Sequence, residues 1–275
     1  MSTQGLTPTN ILQERSTSHA KDQYTLWQIL GIWLAAGAPM WLLGWVAYPM
    51  LSAGLPPVDA GLLRLQLLTG GLIGSSCWRC SSSIAKKATS GGAPSAAVFG
   101  SITPFRRRPA TKKSLWWWLV PLLLLLALLE IGLRSPLVHL WTTIFPFFAE
   151  PEGYGAAILF APALRTQWVG DWGLLGLFLV TATFNTFLGE EILFRGVLLP
   201  RMAGVFGKWD WVANGFLFCF YHLHQPWGIL ATLPGDLLFA YAGKRFHSNW
   251  FPIILHSGQS IYFLILILGL ILGLA

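Results

Sequence analysis

Apolar residues run along this chain in long stretches, separated by short clusters of charge, proline and glycine. Residues 26–51 and 115–133 are each long enough to cross a hydrocarbon core, which needs about 20 residues. Residues 60–74 form a shorter apolar stretch that stops near Gly74. Residues 172–188 run without a breaker into Glu190 and Glu191, and 211–223, 227–242 and 250–274 complete the set. The pattern predicts an all-α, polytopic membrane helix bundle of seven to eight transmembrane helices, the eighth within 137–149. A loop of mixed character is expected over 134–171, broken up by Pro136, Pro146, Pro151 and Pro162. No internal repeat is evident.

Four regions follow from this pattern. Residues 1–26 are polar and read as a disordered tail, with no short apolar segment and small-residue cleavage site ahead of the first span. Residues 27–74 hold two membrane helices, 75–113 form a basic linker, and 114–275 form the core.

Composition agrees. The chain is 54% hydrophobic and 11% charged, with a mean hydropathy of +0.58, whereas soluble domains carry about 25% charged residues. Fifteen Trp and 18 Phe suit lipid-facing and interfacial surfaces. The net charge of +7 is local: residues 75–113 hold eight Lys/Arg and no acid, and the remainder holds ten against eleven. A nucleic-acid binder would carry its basic residues on a folded face, so that class is set aside. Placing the basic linker inside puts the N-terminus, Arg195, Arg201, Lys208, Lys244 and Arg245 on or near the inside, and Glu150, Glu152 and Asp171 outside. The expected location is a bacterial inner membrane, with the N-terminus cytoplasmic.

The linker has a second reading. Gly74 to Ser90 can be written in codons whose shifted frame spells QFVLALLIVYREEGDL, which would finish the second helix and open an acidic loop. A frameshifted segment over 74–108 and an ordinary flexible loop are the two alternatives. Cys77 and Cys80 have redox-motif spacing but no strand–helix context, and under the shifted-frame reading they carry no chemistry.

Charged residues inside apolar helices are functional candidates by default. Glu190, Glu191, Arg195, His222 and His256 lie in such helices. Counted from Arg201, Asp210 and Arg245 at 1.5 Å per residue, Glu190, His222 and His256 all lie roughly 16–18 Å from the same end of their helices. Glu191 and Arg195 are spaced to pair on one face, and Glu190 points about 100° away from Glu191. Phe218 and His222, and His256 and Ser260, are also one turn apart. A buried Glu–Arg pair is more often structural than catalytic, and that reading is preferred for Glu191 and Arg195. His19, His139 and His247 read as packing or capping residues. His224, two residues past His222, is expected to face nearly the opposite way. Spacing alone leaves a protease, a proton-coupled carrier and a metal transporter open.

Three motifs in order resemble the CPBP family, the CAAX prenyl proteases and bacteriocin-processing proteins also called Abi. Glu190-Glu191-Ile192-Leu193-Phe194-Arg195 is similar to its EExxxR motif, Phe218 through His222 to FxxxH, and His256 through Ser260 to a His followed four residues later by Asn or Asp. Ser260 is a departure at that last position. The resemblance covers roughly 172–265 and implies peptide-bond cleavage within the bilayer. It implies Glu190 and His222 as the activators of a water, and His256, helped by Ser260, as the oxyanion stabiliser. Glu191 and Arg195 would hold the motif helix in register, with Phe218 in support. No cofactor is favoured; a metal version would place zinc on Glu190, His222 and His256. The implied partners are a membrane-embedded or membrane-anchored peptide substrate and the lipid bilayer. The rivals are an inactive scaffold or immunity-type member, or an ion-coupled carrier; a carrier would more often show broken helices in duplicated halves.

Overall fold

The computed structural model describes residues 23–88, 113–155 and 159–274, which are helices and connecting turns with no strand among them. Helix α1 spans Leu26–Ser52. A capping box opens it: Thr25 accepts from Gln28 N while the Gln28 side chain accepts from Thr25 N. Residues 23 and 24, placed in the tail by the sequence pattern, are bonded to residues within 200–204. Gln23 bonds Pro200 O and Gly204 N, and Tyr24 N donates to Arg201 O. Residues 1–22 of the expected tail lie outside the described residues.

Helix α2 spans Pro57–Ala88 and does not stop at Gly74. Apolar content ends there, but no proline follows before Ala88, and helix continuation depends on backbone bonding more than on hydrophobicity. The expected linker therefore begins as helix. Its remainder, 89–112, and most of the shifted-frame reading's later part lie outside the described residues.

Helix α3 spans Leu115–Ile144. The first eleven residues expected in the mixed loop are its last turns, Arg134–Ile144. Pro136 does not break the helix because a π turn, Leu128–Leu133, has already loosened the backbone bonding just before it. Most of the expected eighth helix is thus part of α3. Helix α4 spans Trp172–Arg201, α5 Asp210–Tyr221, α6 Ile229–Phe246 and α7 Trp250–Ile271.

Helices α1, α3, α4 and α7 are long and apolar enough to cross a membrane. Helix α5, at 12 residues, rises only about 18 Å and is too short to span alone. It pairs with α6 as a hairpin packed among the longer helices. Helix α3 shows its apolar face outward, with Leu124, Leu128 and Ile131 at 67, 65 and 76% exposure. Such a face belongs against lipid, and the chain is an integral membrane protein.

Two apolar clusters hold the bundle. The larger joins Phe194, Phe218, Phe239, Phe251 and Leu255 from α4 to α7 with Ile29 and Met40 of α1 and Leu68 and Leu72 of α2. The smaller packs Leu159 and Trp168 of the loop before α4 on Ile267, Leu270 and Ile271 of α7. Fully burying one such side chain contributes on the order of 1.5–3 kcal/mol against water, though against lipid the gain is mainly close packing.

Candidate active site

Helix α4 changes pitch where the motif lies. Its first turns are α-helical, Trp172–Ala182, and then Thr183–Glu190 and Ile192–Leu198 wind as π-helix. Such wide turns are uncommon and concentrate at functional sites. Gly189 permits this winding, because a Cβ there would run into Phe184 O. Wider turns also alter the angle between consecutive side chains, so Glu190 and Glu191 both end beside His256.

Glu190, 3% exposed, is the centre. Its Oε1 lies 3.7 Å from His222 Nε2 and its Oε2 lies 3.9 Å from His256 Nε2. Both separations exceed hydrogen-bond range and are of a length that an intervening oxygen atom can bridge. Each imidazole is held through its other nitrogen. His222 Nδ1 is 3.0 Å from Phe218 O, and a carbonyl only accepts, so that nitrogen carries the proton and Nε2 offers its lone pair. His256 Nδ1 lies 3.0 Å from Glu191 Oε1, again a donor facing an acceptor.

Glu191 is fully buried and receives Arg195 Nη1 at 3.1 Å on the same oxygen. Arg195 Nη2 donates to Asp236 O of α6 at 3.0 Å. The guanidinium carbon sits 4.0 Å from the Phe218 ring centroid, with Phe239 also in range. Phe239 stacks on His256 at 5.1 Å, and Phe218 meets His222 edge-on at 5.0 Å. Asn249, ahead of α7, bonds Glu191 O. The Glu–Arg pair is therefore more than a register device: it ties α4 to α6 and orients an imidazole on α7.

Ser260 lies elsewhere than its implied helper role requires. Its Oγ is 3.0 Å from Thr186 Oγ1, a partner on α4 rather than on its own helix. Helices α4 and α7 run antiparallel here. Glu190 faces His256 on one rung, and Thr186 faces Ser260 one turn away. His224 also departs from expectation. Helix α5 ends at Tyr221, so His222 and His224 do not alternate across a regular element, and their rings lie 5.6 Å apart.

Several site residues escape motif reading. Thr186, Phe239 and the backbone of Asp236 carry no sequence signal tied to the three motifs. Glu130, Arg64 and Asp236 are charged residues in apolar helices, the same signal that marked Glu190. Glu130 receives Gln259 Nε2 at 2.6 Å and Arg134 Nη1 at 3.1 Å, next to the turn of α7 that carries His256. Among the described residues, no group of three or more His, Cys, Asp and Glu side chains is arranged to hold a metal ion.

Residues 171–262 match the family described as type II CAAX prenyl endopeptidase Rce1-like. This match is to the CPBP-type CAAX protease family, a family of intramembrane endopeptidases, and it includes all three motifs. No curated protein and no solved structure matches the chain.

Proposed function

We propose that the protein is an endopeptidase that hydrolyses a peptide bond of a membrane-embedded or membrane-anchored substrate, with Glu190 and His222 activating the water. The observation that carries this reading is the convergence of two Nε2 atoms on the two oxygens of one buried carboxylate. Both imidazoles are tethered at Nδ1. Water placed between Glu190 and His222 gives up a proton to them as its oxygen bonds to the scissile carbonyl carbon. The developing oxyanion accepts from His256 Nε2–H. Collapse breaks the C–N bond, the proton passes to the departing nitrogen, and a carboxylic acid and an amine result.

Glu191 gives His256 its capacity for this role. Its carboxylate accepts the Nδ1 proton, so His256 can donate from Nε2 only when doubly protonated. With His256 in that state, Glu190, Glu191 and Arg195 bring the sum of formal charges to zero, which suits a buried site. Ser260 and Thr186 support the rung beside the reacting atoms. No step in this reading uses a metal. The basic side of the helices, which carries Arg201, Lys208, Lys244 and Arg245, lies by the positive-inside rule in the cytoplasm of a bacterial cell.

The test is purified protein with a quenched peptide substrate. Wild type cleaves, Glu190→Ala and His222→Ala cleave about 100- to 10,000-fold more slowly, and a chelator series leaves the wild-type rate unchanged. Cleavage by both variants at the wild-type rate would overturn the protease reading. Loss of activity to chelators, restored by zinc, would replace the water activation with a metal mechanism.

A further inference from the structure

Helix α5 stops inside the bundle, immediately before His222. A helix end leaves its last carbonyls without intrahelical donors, and in hydrocarbon no water is at hand to replace them. Local bonds supply part of the need. His222 N donates to Cys219 O, His222 Nδ1 to Phe218 O, and Gln225 N to His222 O. Three carbonyls beyond His222 accept from side chains of other helices, Pro226 O in addition to the local Ile229 N. Trp45 Nε1 of α1 donates to Leu223 O at 2.9 Å, Arg64 Nη2 of α2 to His224 O at 2.9 Å, and Trp141 Nε1 of α3 to Pro226 O at 2.8 Å.

The donors are themselves fixed. Arg64 is buried, and its guanidinium carbon lies 5.7, 5.3 and 5.6 Å from the ring centroids of Tyr48, Tyr154 and Trp227. Trp227 belongs to the same turn, and Tyr48 Oη bonds Gly153 O. The Trp45 ring packs on Tyr154 and Trp227. All three donors lie outside the segment that matches the protease family.

We propose that Trp45, Arg64 and Trp141 are positioning residues for His222. They clamp the turn that carries it, and so hold its Nε2 against Glu190. The three N-terminal helices thereby complete a site whose motifs all lie in the later segment. This inference rests on the protease reading, and one of its measurements does not need activity.

The experiment uses the full-length protein with Trp45→Phe, Trp141→Phe and Arg64→Met, and Trp27→Phe as a lipid-facing control. The Trp→Phe changes remove only the indole donor and keep an aromatic ring, so they stay informative should Arg64→Met fail to fold. In the peptide assay kcat falls about 10- to 100-fold with KM unchanged. In a His222→Ala background the same changes cost nothing further. Hydrogen exchange of the 222–228 amides rises in the three variants, while exchange in α7 is unchanged. Wild-type kcat and wild-type exchange in the folded variants would overturn the proposal, as would rate losses of equal size with and without His222. An inactive wild type with faster exchange in the variants would count against the protease reading and leave the clamp standing.

Discussion

Glu191 Oε1 lies 3.0 Å from His256 Nδ1 and 3.1 Å from Arg195 Nη1, so one oxygen of a fully buried carboxylate serves two helices. Removing it has two separable consequences. Glu191→Ala leaves Arg195 as an uncompensated buried charge and destabilises the protein by about 3–5 kcal/mol. Glu191→Gln keeps shape and an acceptor but not the charge that faces His256 Nδ1 and Arg195 Nη1. It lowers kcat while thermal unfolding in detergent shifts less than for Glu191→Ala. Wild-type kcat in Glu191→Gln would sink this assignment.

Glu190→Gln preserves volume, removes the carboxylate that the proposed mechanism uses as base, and lowers kcat by about 100- to 10,000-fold with the fold intact. Groups that act as a unit are strongly non-additive, so Glu190→Gln combined with His222→Ala is no slower than the worse single variant. Multiplied losses in single-turnover measurements would show that the two act in separate steps.

The wide turn of α4 needs a glycine at position 189. A methyl group there meets Phe184 O, and relief requires rewinding the π turn that brings both carboxylates to His256. Gly189→Ala costs about 1–3 kcal/mol and abolishes cleavage. A variant with an unchanged melting curve and unchanged activity would mean that the wide turn is not what places Glu190.

Thr186 and Ser260 share one hydroxyl–hydroxyl bond across α4 and α7. Each alanine variant loses about 0.5–1.5 kcal/mol, and the double variant loses no more than the larger single loss. Thermal melts of the four proteins measure the coupling. Full additivity would show that the two hydroxyls do not interact in the membrane.

The three motifs were legible because each is local. EExxxR, FxxxH and the His with its partner four residues on are set by spacing within one segment. Counting residues from the charged residues at the helix ends also put Glu190, His222 and His256 at one level. Where helices stop is less local, and there the structure departs from the hydrophobic pattern. Pro136 lies within α3, α2 continues past Gly74, and α5 ends a residue before His222. The roles of Glu191, His224 and Ser260 changed for the same reason. A π turn, a helix end and an antiparallel neighbour decide what each side chain meets, and none of these is a periodicity.

By itself, the sequence determined that this is a membrane-embedded helical protein whose informative charges are few and interior, and it named the glutamate and two histidines that meet. Hydrophobic stretches and intramembrane charges suffice for that, since lipid penalises every other arrangement of those residues. Only the tertiary structure decided which ring nitrogen faces Glu190, that Ser260 pairs with Thr186, and that Trp45, Arg64 and Trp141 satisfy the turn after His222. Those contacts join residues 65 to 178 positions apart. They arise when a helix end buried away from water must find its hydrogen-bond donors on whichever neighbours packing brings to it.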